Sequence, residues 1–300
     1  MRKDDSSLPA QQRAAIRNRA EMLLREAGAL GRFPTPVADL LRAAQLTVER
    51  EVSLDRTFLG RFYKRLPGTI KRAVDKVLGL LDLRERLIYI DRTTHEKRQT
   101  FLTLHETAHG CLPWQRDAYA LLEDSEGTLD PDVRDLFERE ANGFASELLF
   151  QLDAFEREAA DCGLEIMTPL KLAKRYGSSF YAAARRFVAR SHRACAVLVF
   201  DGPTYQVGTG YSLSLRRCEQ SAKFTQRFGP IQWQENLGPS DFLTRITPVH
   251  RKFTQPTRCT LTNLNHEKEE CVVEAFDSTF QVFFLLYPVS ELKSPQIRPA

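Results

Sequence analysis

The sequence is short of several things that would settle its class quickly. Its six cysteines are widely and unevenly spaced and include no C-x-x-C pair. Free thiols are therefore expected in a cytoplasmic chain of this size, and nothing requires a disulfide. Charge of one sign is also scarce, because 43 Lys and Arg against 39 Asp and Glu leave a net +4. That balance permits nucleic-acid contact without arguing for it. No apolar run approaches the roughly 18 residues of a membrane-spanning helix, so none is expected. The N-terminal stretch lacks the apolar core of a signal peptide and reads as a polar tail leading into a helix. No internal repeat or low-complexity tract is evident. What remains is a globular composition, 42% hydrophobic and 27% charged, over a length that suits two domains or one with an appendage.

Periodicity predicts an α+β chain. Residues 10–28 read as a helix with Ile16, Ala20, Leu23, Leu24 and Ala27 on one face. A second helix follows Pro34 and Pro36, and 45–52 turn to β-type residues. Pro67-Gly68 marks a turn inside a linker, and the same stretch, 66–82, also allows a helix. "ERLIYID" at 85–91 is the clearest strand of the first half, expected as an edge strand to which an extended substrate adds. Asp130-Pro131 has the form of an N-cap with Pro at the first helical position, opening a helix over 131–149. Two further helical segments flank Gly177. From Cys195 onward the chain is mostly β, placing a boundary near 190–195. The expected division is 10–150, 151–192 and 193–300.

The chemistry lies in "FLTLHETAHG", residues 101–110. It contains an H-E-x-x-H, His105 to His109. Residues four apart share a helix face, so His105 and His109 can grip one ion. Glu106, about a quarter-turn away, reaches a water on that ion without ligating it. Zinc acidifies such a water and a glutamate accepts its proton. Two histidines four apart also arise by chance. Here, however, two of only six histidines do so, directly after an apolar strand.

A catalytic zinc needs a third protein ligand. His95 sits in a polar loop and His192 near the domain boundary, while "GCLPWQRDAY" after His109 offers no histidine. The gluzincin arrangement uses a glutamate on a later helix, and "DLFEREANGFASELL" supplies Glu138, Glu140 and Glu147. Glu138 and Asn142 share a face. Glu140 points roughly 200° from Glu138, so both cannot face one ion. Spacing alone leaves the choice open.

Taken together, "RQTFLTLHETAHG" (98–110) and "FEREANGFASELL" (137–149) resemble the ImmA/IrrE family of zinc metallopeptidases. The second stretch matches that family's E-x-E-A-N-x-F-A-x-x-L-L helix, and "PVADLLRAAQLTVE" (36–49) resembles its N-terminal helix and strand. The resemblance covers roughly 30–150. It implies a gluzincin-like domain in which His105, His109 and Glu138 hold the metal and Glu106 is catalytic, with Glu140 in the helical support of the site. Two departures lie away from the ligands. Arg98 stands three residues before Phe101 where the family has adjacent residues, and Phe150-Gln151 replaces the family's Met-Pro.

The larger members of the family add a helix-turn-helix-like middle segment and a GAF-like C-terminal domain. The helical 151–192 and β-rich 193–300 suit that plan, the last part also suiting an unrelated substrate-recognition domain. Lys171, Lys174, Arg175, Arg185, Arg186 and Arg190 form a basic cluster in the middle helices. It reads first as a solvated face, and otherwise as a DNA or partner surface.

The resemblance implies a cytoplasmic, zinc-dependent endopeptidase, with manganese as the alternative ion. Its substrate would be a specific protein, a helix-turn-helix repressor, whose cleavage switches on stress or mobile-element genes. Tyr119 or His95 would supply a further donor to the reacting carbonyl, and a small-molecule signal would act at the C-terminal domain. The alternatives are a DNA- or partner-binding regulator with a structural or vestigial metal site, or the effector of a bacterial defence or toxin–antitoxin pair.

Overall fold

A computed structural model describes residues 8–60, 78–124, 130–206, 210–248 and 252–292. The chain groups into two compact units: Met1–Ala154 with Arg175–Ser179, and Phe155–Lys174 with Phe180–Ala300. Both mix helix and sheet, giving the α+β class.

The first unit runs α1 (Ala10–Glu26), α2 (Val37–Ala43), β1 (Thr47–Val52), α3 (Arg56–Gly60), β2 (Gly79–Asp82), β3 (Leu87–Asp91), α4 (Glu96–Cys111), α5 (Pro113–Asp124) and α6 (Pro131–Leu149). The face expected on α1 is the buried one, with Ile16, Ala20, Leu23 and Leu24 at 5% exposure or less. It packs against α6, which in turn packs against α4. Ala108, Ala141 and Ala145 on α4 and α6 are fully buried. Side chains this small let helix backbones approach closely.

The sheet has the order β1-β3-β2, with β1 parallel and β2 antiparallel to β3. Two expectations are corrected here. Among the described residues the strand at 85–91 is central and not an edge, and β2 is the edge on that side. Where the 66–82 stretch is described, Gly79–Asp82 is this strand and not helix, while the turn at Pro67-Gly68 lies outside the described residues. So short a segment, two leucines between Gly79 and Asp82, fits either state, and pairing with Leu87–Ile90 decided it.

Asp91 ends β3 and fixes the turn before α4. Its carboxylate accepts from the backbone N–H groups of Leu54 (2.7 Å) and Thr93 (2.9 Å) and from the Thr93 hydroxyl. His95 then caps α4, its Nδ1 accepting from the Lys97 N–H at 3.3 Å. Asp130 caps α6 in the expected way, accepting from the Asp132 N–H at 2.8 Å with Pro131 next.

At the exit of α6, Gln151 and Leu152 adopt φ of 49° and 58°. Proline, fixed near −65°, cannot do this, so Gln151 is more than a neutral replacement for the family's residue. Its Nε2 donates to the carbonyls of Ala29 (3.1 Å) and Arg32 (2.6 Å), and its Oε1 accepts from the Gly31 N–H at 2.7 Å. The side chain thereby ties the loop after α1 to the end of α6. Gly177, at φ 67°, lies close by, and a Cβ there would meet Pro34 Cβ at 2.9 Å.

The second unit contains most of α7 (Ala154–Ala160) and of α8 (Met167–Tyr176), with α9 (Phe180–Ala189), β4 (Ala196–Asp201), β5 (Thr204–Gln206), β6 (Gly210–Gln220), α10 (Ala222–Phe228), β7 (Asn236–Leu237), α11 (Phe242–Arg245), β8 (Thr257–Thr262), β9 (Lys268–Asp277) and β10 (Gln281–Pro288). Its sheet is antiparallel in the order β5-β6-β4-β10-β9-β8, with β7 on β6. Central β4 and β10 are buried almost throughout, whereas outer β8 alternates between half-buried and exposed. One core face gathers Leu198, Phe200, Phe224, Val273, Phe284 and Leu286. All six cysteines are free thiols.

Much of the basic cluster is paired. Arg186 meets Glu156 at 2.7 Å with Arg190 at 3.9 Å from the same carboxylate, Arg185 meets Glu219 at 3.4 Å, and Lys171 meets Glu165 at 3.6 Å. Arg175 lies over the Phe33 ring. The acidic partners lie on other elements, which is why the cluster looked stronger in sequence than in space.

The Asp91 contacts yield a pH-dependent prediction. The hydrogen bonds overcome burial and hold its carboxyl below the usual range. A depressed carboxylate adds stability above its ordinary pKa of about 3.9, and the gain is lost as pH falls through the lower folded value. Asp91→Ala is expected to cost about 1–3 kcal/mol at pH 7 by denaturant unfolding. The gap from wild type should narrow below about pH 4. A gap that widened on acidification would contradict this assignment.

Candidate metal centre

α4 and α6 pack so that His105 and His109 face Glu138. The Nε2 atoms of the two histidines are 3.3 Å apart. Glu138 places Oε2 at 3.3 Å from His105 Nε2 and Oε1 at 4.0 Å from His109 Nε2. All three ligand atoms lie within 4.8 Å of one another. A tetrahedral ion with bonds of about 2.0–2.1 Å needs donors roughly 3.3 Å apart, so the set fits a metal of zinc's size.

Hydrogen bonds at the far side of each ring fit the same purpose. His105 Nδ1 is 3.1 Å from Asn142 Oδ1, and His109 Nδ1 is 2.7 Å from Gln115 Oε1. Facing an acceptor, each Nδ1 carries the proton and leaves its Nε2 lone pair for an ion. Asn142 was legible as the residue one turn beyond Glu138. Gln115 was missed: it lies six residues past His109, beyond a helix break at Pro113, and no spacing rule points to it.

Glu106 lies beside edge strand β2, where the Leu81 N–H bonds its carboxylate. Gly79 leaves room for it: a Cβ would stand 2.7 Å from Glu106 Oε1, so the carboxylate would have to shift. Burial pushes the Glu106 carboxyl up to about 7, against the opposing pull of His105. Burial drives His109 down to about 4, with His105 adding to the effect. Desolvation opposes ionisation of Glu138, but its bond to His105 prevails and takes it to about 2. His105 is raised: burial works against its charge, and the bond to Glu138 outweighs it. Neutral His109 and ionised Glu138 are the forms a metal binds.

The other residues singled out from sequence fall elsewhere. Glu140 is 2% exposed and accepts from Trp114 and Gln115. Glu147 pairs with Arg17 at 3.7 Å. His95 is an exposed cap, and His192 belongs to the second unit. Tyr119 does reach the site, its ring edge-on to His109 at 5.7 Å.

A two-helix frame thus carries an H-E-x-x-H and a distant glutamate that together could hold a metal ion. Residues 67–188 match the family model Peptidase_M78, described as the IrrE N-terminal-like domain. The match covers part of the chain, and both quoted motifs fall inside the matched span. No curated protein matches the sequence. Among solved structures, a Mycobacterium tuberculosis transcriptional regulator is similar at 13% identity and a TM-score of 0.55, over 98% of this chain and 95% of that one. At that identity the likeness is one of fold.

The site predicts linkage between metal and stability. Zinc at about 1,000 times its Kd should stabilise the protein by about 4 kcal/mol. In a thermal melt His105→Ala and Glu138→Ala should abolish most of this shift. An unchanged shift in both variants would remove the ion from this site.

Proposed function

We propose that the chain is a zinc-dependent endopeptidase of the cytoplasm that cleaves a specific protein, a helix-turn-helix transcriptional repressor. Its action would switch on a stress or mobile-element response. The observation that carries the reading is Glu106: a buried carboxyl beside a three-donor cage, with space secured by Gly79. His105, His109 and Glu138 would hold the ion. When bound, zinc supplies a Lewis acid that acidifies water and polarises a carbonyl. Glu106 accepts the proton of the attacking water and later delivers it to the leaving amine. Its raised pKa suits both halves of that transfer. Tyr119, whose ring packs on His109, would donate to the developing oxyanion.

Since β2 is the edge strand beside Glu106, an extended substrate segment would add there rather than at β3. The division into a peptidase part (10–150), a helical part (151–192) and a β-rich sensor (193–300) belongs to this reading. An open cavity of about 640 Å³ in the second unit, lined by Tyr211, Thr244, Arg245, Thr247 and Gln255 among others, offers a place for a small-molecule signal.

The likeness to a protein named a transcriptional regulator favours a second reading, in which the chain regulates by binding and the metal is structural. The ion pairs of Arg185, Arg186 and Lys171 weigh against DNA as the partner.

Incubating the zinc-loaded protein with candidate repressors separates the two. A discrete product is expected from wild type, with Glu106→Gln retaining zinc and losing at least about 100-fold in rate, the scale of general-base catalysis. Full biological effect from Glu106→Gln would sink the peptidase reading. Gly79→Ala should fold and hold zinc yet cut poorly, because its methyl displaces the Glu106 carboxylate.

A further inference from the structure

The contact between Gln115 and His109 is only as directional as the amide that makes it. An amide presents an oxygen on one side and an NH2 group on the other, and the histidine tautomer depends on which side it meets. Gln115 is fully buried, and its Nε2 donates both to the Phe137 carbonyl (3.1 Å) and to Glu140 Oε2 (2.7 Å). The same Glu140 oxygen accepts from Trp114 Nε1 at 2.7 Å. Turning the amide over would set its oxygen against a carbonyl and a carboxylate. It would also set its NH2 against His109 Nδ1.

His109 would then have to accept at Nδ1 and carry its proton on Nε2, the atom that faces His105 and Glu138. A protonated Nε2 cannot ligate a metal. A buried carboxylate is costly to keep. Here it sits two hydrogen bonds away from the nitrogen whose lone pair matters.

We infer that Glu140 is a positioning residue for the metal centre: through Gln115 it holds His109 in the Nδ1–H tautomer, leaving Nε2 free to ligate. The metal part of this rests on the ligand set proposed above, whereas the tautomer part does not. Glu140 thus has a role separate from Glu138, two residues before it on the same helix.

The test uses the full chain with two readouts. Nitrogen-15 NMR of the histidine rings at pH 8, without metal, reports the His109 tautomer. Competition against a chromophoric chelator reports zinc affinity. Glu140→Leu removes the acceptor, and the expected result is a mixed His109 tautomer with zinc affinity about 10–100-fold weaker. Glu140→Gln keeps an oxygen for Trp114 and Gln115 and should retain both the tautomer and near-native affinity.

If Glu140→Leu does not fold, the exchange Glu140→Gln with Gln115→Glu decides the matter. It places a carboxylate directly on His109 and should keep the Nδ1–H form. A pure Nδ1–H signal and unaltered affinity in Glu140→Leu would overturn the inference, as would loss of that tautomer in the exchange variant. If wild type bound no zinc while Glu140→Leu still scrambled the tautomer, the ligand reading and the metal part of this inference would fail together, and the tautomer part would stand.

Discussion

Two imidazole nitrogens and a carboxylate oxygen held about one ion's width apart, with lone pairs converging, repel one another unless something positive sits between them. The fold maintains that arrangement between His105, His109 and Glu138, and much of the first unit serves to keep it. A proton on His105 relieves part of the repulsion through its bond to Glu138, which raises that histidine, while burial, with His105 adding to it, drives His109 down. A metal ion relieves all of it. On the proposed reading the site is preorganised at some cost to the protein without a metal, and that cost would return as affinity for a cation.

The supporting layers follow from this constraint. Asn142 and Gln115 turn the rings, and Glu140 and Trp114 hold Gln115. Small residues on α4 and α6 bring the helices close, while Gln151 and Asp91 fix the ends of the elements that carry the site. Thr103 and Thr107 return their buried hydroxyls to carbonyls one turn back, so α4 buries polar residues without leaving them unsatisfied. Glu106 alone is left beside the cage with a backbone N–H for company and a glycine opposite it.

What could be read from sequence was what local rules govern. Helix α1 announced its buried stripe, α6 its Asp-Pro start, and α4 its pair of histidines one turn apart. The third ligand was open on spacing, and the family pattern pointed to Glu138. What escaped depends on tertiary placement. Strand β2 is four residues with only two leucines between a glycine and an aspartate, too short for a period to decide, and its pairing with β3 lies outside any local window. The central position of β3 is likewise a property of the sheet. Gln115 touches His109 only because the chain breaks at Pro113 and starts a new helix. The basic cluster lost its apparent surplus to Glu156, Glu165 and Glu219, which lie on other segments of the fold.

The central claim is that one metal ion is held by two imidazoles and a carboxylate with a position left open. X-ray absorption at the zinc edge of the stoichiometrically loaded protein tests this most directly. The account predicts nitrogen and oxygen donors at about 2.0–2.2 Å with the multiple-scattering signature of two histidines and no sulfur. A sulfur shell near 2.3 Å, a single imidazole, or failure to load one zinc per chain would contradict it.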